Sequence, residues 1–485
     1  MLLGIDLGTG SVKALLLDAD GTVVAEASHA YPVQSPQPSW AETDPKAWWE
    51  AVAIVVRQVM ADAAHSVEAI GLSGQMHGVV LTDKEGNPLR PAILWADMRS
   101  SSVLDAYEQL AADLRLRLAN PITAGMAGPT LVWLKQEEPD TYTTARWVLQ
   151  PKDWLRLQLT GEVAAEPSDA SGTLLFDVQL DQWAFEVMEA LHLRTDWLPP
   201  LFPSNRIAGH LTSQAAHHLG LEAGIPVVAG AADTAAAMLG SGLLIPESVQ
   251  LTIGSGAQII TPLAQPKADS SLRTHLYCAA LPDRWYRLAA LQNAGLALEW
   301  VRGILGLSWL EVYDAANSVP PGCEGLTFLP YLTGERTPHL DPYARGTWVG
   351  LGLHHTRLHL MWAALEGVAF AIKQGLEAIV TPDMSTPNLR LAGGGTLEPA
   401  WRQLLATVLQ VPLYSIMIPA ASARGAAILA GLGVGIYRDE QMIPQVRMTE
   451  IPTLPDAFTP ELDSAWMRFQ TLYPTLRQWR SQLHG

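Results

Sequence analysis

Short apolar runs alternate with longer amphipathic stretches along nearly the whole chain. Apolar and β-branched runs bounded by glycine, proline or polar residues are typical of buried strands, whereas apolar residues spaced three and four apart indicate helices. Strands are predicted at LLGIDL, VKALLLD, TVVAEAS, AIGLSG, GVVLTD, PVVAGAA, VQLTIGS, AQIITPL, RLAGGG and VPLYSI. The alternation of the two patterns predicts an α/β protein.

The clearest helical stretch begins with a cap signal. In Thr43-Asp44-Pro45 a polar side chain precedes a proline, which is how many helices begin. Helices are predicted over Asp44 to Ala64, Ala297 to Leu305, His359 to Val380 and Ala400 to Leu409.

Two similar glycine-rich hairpins lie about half a chain apart. The first has the tip Gly8-Thr9-Gly10-Ser11 between two predicted strands, and the second has the tip Gly254-Ser255-Gly256-Ala257. One such hairpin is ordinary turn chemistry, but two in successive halves suggest a duplicated domain. Because 485 residues also exceed the usual size of a single core, we predict two domains, residues 1–243 and 244–485.

The composition narrows the class of protein. A net charge of −17 argues against a protein that binds the nucleic-acid backbone. The two cysteines have no metal-ligand spacing, which is typical of a reducing compartment. The sequence shows neither a secretion signal nor an uninterrupted apolar run long enough for a membrane span. We therefore expect a cytoplasmic protein that binds neither nucleic acid nor membrane.

The first hairpin is a candidate phosphate-binding loop. The chain has no GxxxxGK[ST] motif, and the Rossmann fingerprint fails because a strand, not a helix, follows LGTG. The backbone N–H groups and hydroxyls of Thr9, Gly10 and Ser11 could instead surround an anion. The second hairpin, with Gly254 and Ser255, would face it across a cleft, and the two tips could hold the phosphates of one nucleotide.

Asp6 lies inside the first apolar run, where a carboxylate is unfavourable unless something pairs with it. Phosphates beside it would repel it, so a cation between them is expected. Mg²⁺ binds one or two carboxylates together with phosphate oxygens. The sequence therefore suggests Mg-ATP as the missing partner; the alternative is an aspartate on an exposed strand.

A third glycine element follows a later strand. Gly393-Gly394-Gly395 ends the strand, and Thr396 with Pro399 opens a helix. Three glycines allow a very close backbone approach, as an adenosine lying on the loop would require. The alternative is a tight strand-to-helix turn.

Asp233 is the second acid in an unusual place. It follows the strand PVVAGAA and precedes a helix of small residues. The carboxyl end of a strand is where α/β folds place ligand sites, and the helix dipole should keep Asp233 ionised and ready to accept a proton. The alternative is an ordinary helix cap.

Taken in order, these segments resemble the FGGY family of carbohydrate kinases, and within it the xylulokinase branch. The resemblance covers essentially the whole chain. It rests on GIDLGTGSVK, SGQMHG, ILWADMR, LQPKDW, VQLTIGSGAQ, LPYLTGERTPH, GTWVGLGLHHTRLHLMWAALEG and LAGGGTLEPAWRQLLA. It implies two duplicated domains of the actin and hexokinase type (ribonuclease H-like), with a cleft between them. The first would carry the sugar, phosphate and Mg²⁺ sites and the second the nucleotide site.

The resemblance also implies roles for particular residues. Asp233 matches the catalytic base, which takes the proton from the sugar hydroxyl that attacks the γ-phosphate. Asp6 matches the aspartate that helps to hold Mg²⁺, and Met76 with His77 matches the pair that contacts the ketose. Trp95 could stack on the apolar face of the sugar. The implied reaction is ATP-dependent phosphorylation of D-xylulose to D-xylulose 5-phosphate.

Two departures from the family pattern, at Thr130 and Thr234, leave the sugar open, and a third, at Glu398, concerns the nucleotide. Thr130 replaces a usual lysine, Thr234 stands where asparagine is frequent in xylulokinases, and Glu398 replaces a smaller or basic residue. The alternatives are a family member acting on ribulose, gluconate or another sugar or polyol, or a non-catalytic ATP-binding module. Met76-His77 disfavours glycerol. The oligomeric state also stays open, a homodimer included.

Overall fold

The computed structural model describes residues 1–61, 66–314, 318–380, 388–394 and 397–484. Within these ranges the chain forms two large mixed β-sheets, with helices packed against them, and four two-stranded sheets, in the predicted α/β class. No helix in these ranges combines the length and the apolar character needed to cross a membrane.

The strands are β1 Leu2–Leu7, β2 Ser11–Leu17, β3 Val23–Ala30, β4 Glu42–Thr43, β5 Ala69–Gly74, β6 Val80–Thr82, β7 Ala92–Ile93, β8 Trp147–Leu149, β9 Phe176–Asp177, β10 Gln182–Trp183, β11 Ile207–His210, β12 Pro226–Val228, β13 Ala231–Ala232, β14 Val249–Ile253, β15 Ala257–Leu263, β16 His275–Cys278, β17 Trp285–Leu291, β18 Thr327–Leu329, β19 Thr347–Val349, β20 Leu389–Ala392 and β21 Leu413–Ser415.

The α-helices are α1 Pro45–Met60, α2 Asp105–Glu108, α3 Ala112–Leu118, α4 Ala127–Glu137, α5 Pro139–Thr144, α6 Pro151–Thr160, α7 Pro167–Ala170, α8 Phe185–Ala190, α9 Ser213–Leu219, α10 Asp233–Ser241, α11 Gly295–Leu305, α12 Trp309–Asp314, α13 Arg357–Ile379, α14 Pro399–Leu409, α15 Ala421–Gly433 and α16 Pro460–His484.

The two sheets are built on the same plan. In the first, the strand order is β11-β12-β5-β1-β2-β3, with β13 also paired to β5. In the second, the order is β16-β17-β15-β14-β20-β21. In each sheet a hairpin, β1–β2 or β14–β15, has its first strand paired in parallel with a strand that follows a long helix. This repeated unit agrees with the predicted duplication.

Helix α15 joins the two halves of the molecule. It belongs to the C-terminal half of the chain but packs on β1, β5 and α10 of the N-terminal half. The backbones approach so closely that a Cβ atom on Gly4 would lie 1.9 Å from the Ala423 carbonyl oxygen, and one on Gly71 would lie 1.7 Å from that of Ala426. Only glycine allows this contact.

Most of the predicted elements are confirmed. LLGIDL, AIGLSG and AQIITPL coincide with β1, β5 and β15. Asp44 is the cap of α1, its side chain accepting a hydrogen bond from the Lys46 N–H. The prediction of one strand at PVVAGAA was wrong, because Gly230 has a φ of +90° and divides the segment into β12 and β13.

Candidate active site

Asp6 is held in the middle of the first sheet. It lies on β1 directly opposite Ser73 of the parallel strand β5, and the Ser73 hydroxyl donates a hydrogen bond of 2.7 Å to Asp6 Oδ1. Burial raises the pKa of Asp6, while this hydrogen bond and the charge of Lys13 lower it in part. A carboxylate in this setting gains stability from a cation beside it.

The glycine hairpin after Asp6 is fixed by hydrogen bonds at its base. The Gly8 N–H donates to the Ser11 carbonyl at 3.0 Å, and the Tyr31 N–H donates to the Gly10 carbonyl at 3.0 Å. The Trp95 indole N–H donates to the Thr9 hydroxyl at 2.8 Å. Gly10 itself is exposed at the tip. The loop is therefore ordered and open at its tip, as a phosphate site would require.

Asp233 is the first residue of α10 and directly follows β13. Its Oδ1 accepts hydrogen bonds from the Thr234 N–H at 2.6 Å and the Thr234 hydroxyl at 3.1 Å. Burial and the nearby charge of Asp6 nevertheless raise the pKa of Asp233 to about 7. Desolvation and the like charge of Asp6 therefore affect this pKa more than the helix dipole, which favours the ionised form.

His77 has an unusual backbone and a defined tautomer. Its φ is +71°, in the left-handed region that few non-glycine residues adopt. Its Nδ1 lies 2.5 Å from the Gly172 carbonyl oxygen. Since a carbonyl can only accept, Nδ1 carries the proton. Burial lowers the pKa of His77 to about 4, so the ring is neutral at pH 7 and Nε2 is free to accept a hydrogen bond.

A cleft of about 190 Å³ brings Thr9, His77 and Asp233 together, whereas Asp6 is not among the residues that line it. A water molecule needs roughly 10–15 Å³ of cavity, so the cleft accommodates a ligand of about ten non-hydrogen atoms. The predicted residues that line it are Thr9, Met76, His77, Trp95 and Asp233. Residues of the C-terminal half line it as well, although the resemblance implied a sugar site in the first domain; these are Gln258, His275, Tyr277, Leu288, Ala290, Arg336 and Leu340.

None of these seven residues from the C-terminal half was predicted as a site residue, and the titratable ones among them are His275, Tyr277 and Arg336. His275 and Tyr277 lie on β16 with their rings stacked at 5.4 Å, and the Tyr277 hydroxyl is 2.8 Å from His275 Nδ1. No strand signal was recognised there, and nothing in the sequence links β16 to the cleft. Arg336 lies in the motif LPYLTGERTPH, but the motif does not show that its guanidinium lines the cleft, 5.2 Å from the centre of the Trp95 ring.

The other glycine loops lie together at the end of the second sheet. The Gly254 and Ser255 carbonyls accept hydrogen bonds from the Gly295 and Leu296 N–H groups at the start of α11. A Cβ atom on Gly393, which has a φ of +94°, would lie 2.3 Å from the Ile253 carbonyl oxygen. The two loops therefore adjoin.

The remaining predicted nucleotide residues are only partly described. Gly394 is exposed beside these loops. Gly395 and Thr396, which were predicted to receive adenosine and to open α14, lie outside the described residues. In the described part, the cap of α14 is Glu398, followed by Pro399.

Comparison with known proteins agrees with this architecture. Residues 1–240 match the family model of the N-terminal domain of FGGY carbohydrate kinases, and residues 249–434 match that of the C-terminal domain. The chain belongs to the FGGY family of carbohydrate kinases. This FGGY kinase is accordingly a phosphotransferase with the two-domain fold of that family.

Individual relatives support the assignment over the full length. This FGGY kinase is 34% identical to the xylulose kinase of Escherichia coli strain K12, across 98% of this chain and all of that protein. It is 30% identical to the gluconokinase of Bacillus subtilis strain 168, across 98% of this chain and 94% of that protein. The crystal structure of xylulose kinase from Rhodospirillum rubrum superposes with a TM-score of 0.90 at 31% identity, covering 99% of both chains.

Proposed function

We propose that this FGGY kinase transfers the γ-phosphoryl group of ATP to the 5-hydroxyl of D-xylulose, giving D-xylulose 5-phosphate. The observation that carries the proposal is a carboxylate, Asp233, with a pKa near 7 in a cleft of the size of a small sugar. The xylulose kinases of E. coli and R. rubrum, at 34% and 31% identity, support the choice of sugar.

Asp233 would act as the general base. A base is most effective when its pKa lies near the working pH, and the value of about 7 meets this condition. The carboxylate would accept the proton of the sugar hydroxyl as that oxygen attacks phosphorus. His77 Nε2 would accept a hydrogen bond from a second hydroxyl, and the Met76 side chain and the Trp95 ring would contact the carbon chain.

Asp6 is the residue that would hold Mg²⁺. The fit is good because Asp6 and Asp233 are close enough for the charge of Asp6 to raise the pKa of Asp233, and a cation relieves such repulsion. When bound, Mg²⁺ supplies positive charge that stabilises the transferring phosphoryl group. The Asp6 carboxylate supplies oxygen ligands of the kind that Mg²⁺ prefers.

The glycine loops would hold the nucleotide. We assign the phosphates to Thr9, Gly10 and Ser11 together with Gly254 and Ser255, and the adenosine to the loop that contains Gly394. We keep the domain limits at residues 1–243 and 244–485. Because residues of both halves line the cleft, closure of the domains would exclude water, which otherwise competes as phosphoryl acceptor.

Coupled ADP release from Mg-ATP tests the proposal. The acceptors are D-xylulose, ribulose, gluconate, glycerol and other polyols, with Asp233→Ala measured in parallel. We expect strong turnover on D-xylulose and a loss of about 10²–10⁴-fold in the variant. If only gluconate gave strong turnover, the assignments of the fold and of Asp233 as the base would stand, and the substrate would be gluconate instead of D-xylulose. The kinase proposal would be contradicted if no acceptor increased ADP release and if Asp233→Ala left the rate unchanged.

A further inference from the structure

Arg336 brings a positively charged guanidinium group into the cleft from the C-terminal half of the chain. Its guanidinium group lies 5.2 Å from the centre of the Trp95 ring and makes no hydrogen bond or salt bridge to any residue that the structure describes. The neighbouring carboxylate does not neutralise it directly, since Glu335 Oε1 accepts from the backbone N–H groups of Gln292 at 2.7 Å and Arg336 at 2.8 Å. A partly buried guanidinium without acceptors calls for a ligand that supplies them.

The polar groups around the cleft include acceptors, neutral groups that both donate and accept, such as Gln258 and Tyr277, and one positively charged donor, Arg336. His77 Nε2 and the Asp233 carboxylate can accept hydrogen bonds, so both suit the O–H groups of a sugar. The Trp95 indole N–H already donates to Thr9. Arg336, by contrast, has five N–H donors and no acceptor. It therefore suits an oxygen atom that can only accept.

A sugar phosphorylated at its 5-hydroxyl has such an oxygen. A ketopentose closes its furanose ring through O5, so the 5-hydroxyl is free only in the open chain, where C2 is a ketone. We propose that Arg336 binds this ketone oxygen and so makes the site specific for open-chain ketoses over alditols. The inference rests on the proposed function and goes beyond it by naming the residue that reads the carbonyl group.

Arg336→Met and Arg336→Lys, compared on D-xylulose and on the alditol xylitol, test the inference. A hydrogen bond to a charged group is worth roughly one to two powers of ten in binding. We expect Arg336→Met to lower kcat/KM for D-xylulose about 10- to 100-fold and that for xylitol less than about threefold. Arg336→Lys keeps one charged donor and should recover part of the loss on D-xylulose.

Arg284→Met is the matched control, since Arg284 lies in the same half of the chain but outside the sugar cleft, near Glu440. It should leave the ratio of D-xylulose to xylitol activity unchanged. Melting temperatures of all variants separate lost recognition from lost folding.

Three results would overturn the inference. An equal loss on both acceptors would show that Arg336 acts on folding or on the general field of the site. If Arg336→Met lowered kcat/KM for gluconate but not for D-xylulose, the guanidinium group would be assigned to the carboxylate of a sugar acid instead of the ketone. If no sugar increased ADP release by the wild-type enzyme, the proposed function itself would be contradicted, independently of any Arg336 variant.

Discussion

Two opposing influences act on the Asp233 carboxylate. The N-terminus of α10 and two hydrogen bonds from Thr234 favour its ionised form, while burial and the charge of Asp6 favour the protonated form. Burial prevails, and the pKa rises to about 7. The sequence identified the residue, because an acid between a buried strand and a helix is conspicuous. It could not give the sign of the shift, which depends on residues far away along the chain.

This shift predicts the pH dependence of the reaction. The base accepts a proton only when it is ionised, so kcat/KM for D-xylulose should fall about tenfold per pH unit below the pKa of about 7. It should level off above about pH 8. The measurement is the kcat/KM profile from pH 5 to pH 9. If kcat/KM were still at its maximum at pH 6 and fell only near the ordinary aspartate pKa of about 3.9, the assignment of Asp233 as a base with a raised pKa would be contradicted.

The same shift predicts a stability change in Asp233→Asn. Asp233 has a higher pKa in the folded protein than in the unfolded chain, so wild-type stability falls as pH rises from about 4 to about 7 and stays low above that. Asparagine has no charge to desolvate. The variant should therefore exceed the wild type in free energy of unfolding by up to about 4 kcal/mol at pH 8, at about 1.4 kcal/mol for each pKa unit of the shift, with little difference at pH 4.

Urea unfolding at the two pH values measures this difference. Asp105→Asn, a change at an exposed carboxylate on α2, is the control and should leave the free energy of unfolding nearly unchanged at both. A variant at position 233 that is less stable than the wild type at pH 8 would show that the charge is favourable where it lies.

At the scale of elements, glycines decide how closely α10 and α15 pack. A Cβ atom on Gly240 of α10 would lie 1.9 Å from the Ala421 carbonyl oxygen, and one on Gly425 of α15 would lie 1.8 Å from that of Ala236. The backbones of the two helices are therefore in contact. The small residues after Asp233 permit this close packing, but their partner, more than 180 residues later, could not be deduced from the local pattern.

Gly425→Ala should separate these helices. The added methyl group cannot fit without a shift of the backbone, so we expect the free energy of unfolding to drop by about 1–3 kcal/mol. The matched change is Gly303→Ala in α11, where no described atom lies within 4 Å of the new Cβ. It should raise stability by about 0.5–1 kcal/mol. Thermal unfolding compares the two, and equal effects would contradict the packing argument.

At the scale of the whole molecule, the net charge of −17 opposes the approach of an anionic nucleotide. The Debye length falls from about 30 Å at 0.01 M salt to about 8 Å at 0.15 M, so added salt should screen this repulsion. We expect KM for Mg-ATP to decrease about twofold over that range, while KM for the uncharged sugar stays constant as the internal control. A KM for Mg-ATP that rises with salt would show that positive groups near the glycine loops dominate.

The sequence predicted the class, the duplication and the two acids, because each depends on a local pattern. It missed His275 and Tyr277, because their place depends on how β16 pairs with β17 and on how the two halves meet. Arg336 shows the same limit, since its motif was recognised but its position over Trp95 was not. Contacts that join distant parts of the chain have no signature in a single sequence.

The position of α15 has a consequence for biosynthesis. One face of β1 and β5 shares a core with α15, so that face is covered only after residues 421–433 have been made. These residues follow β5 by roughly 350 positions, which at 5–20 residues per second is roughly 20–70 s of translation. The nascent first half must therefore remain unaggregated on the ribosome with this apolar face uncovered, and residues 1–243 produced alone would never acquire their cover.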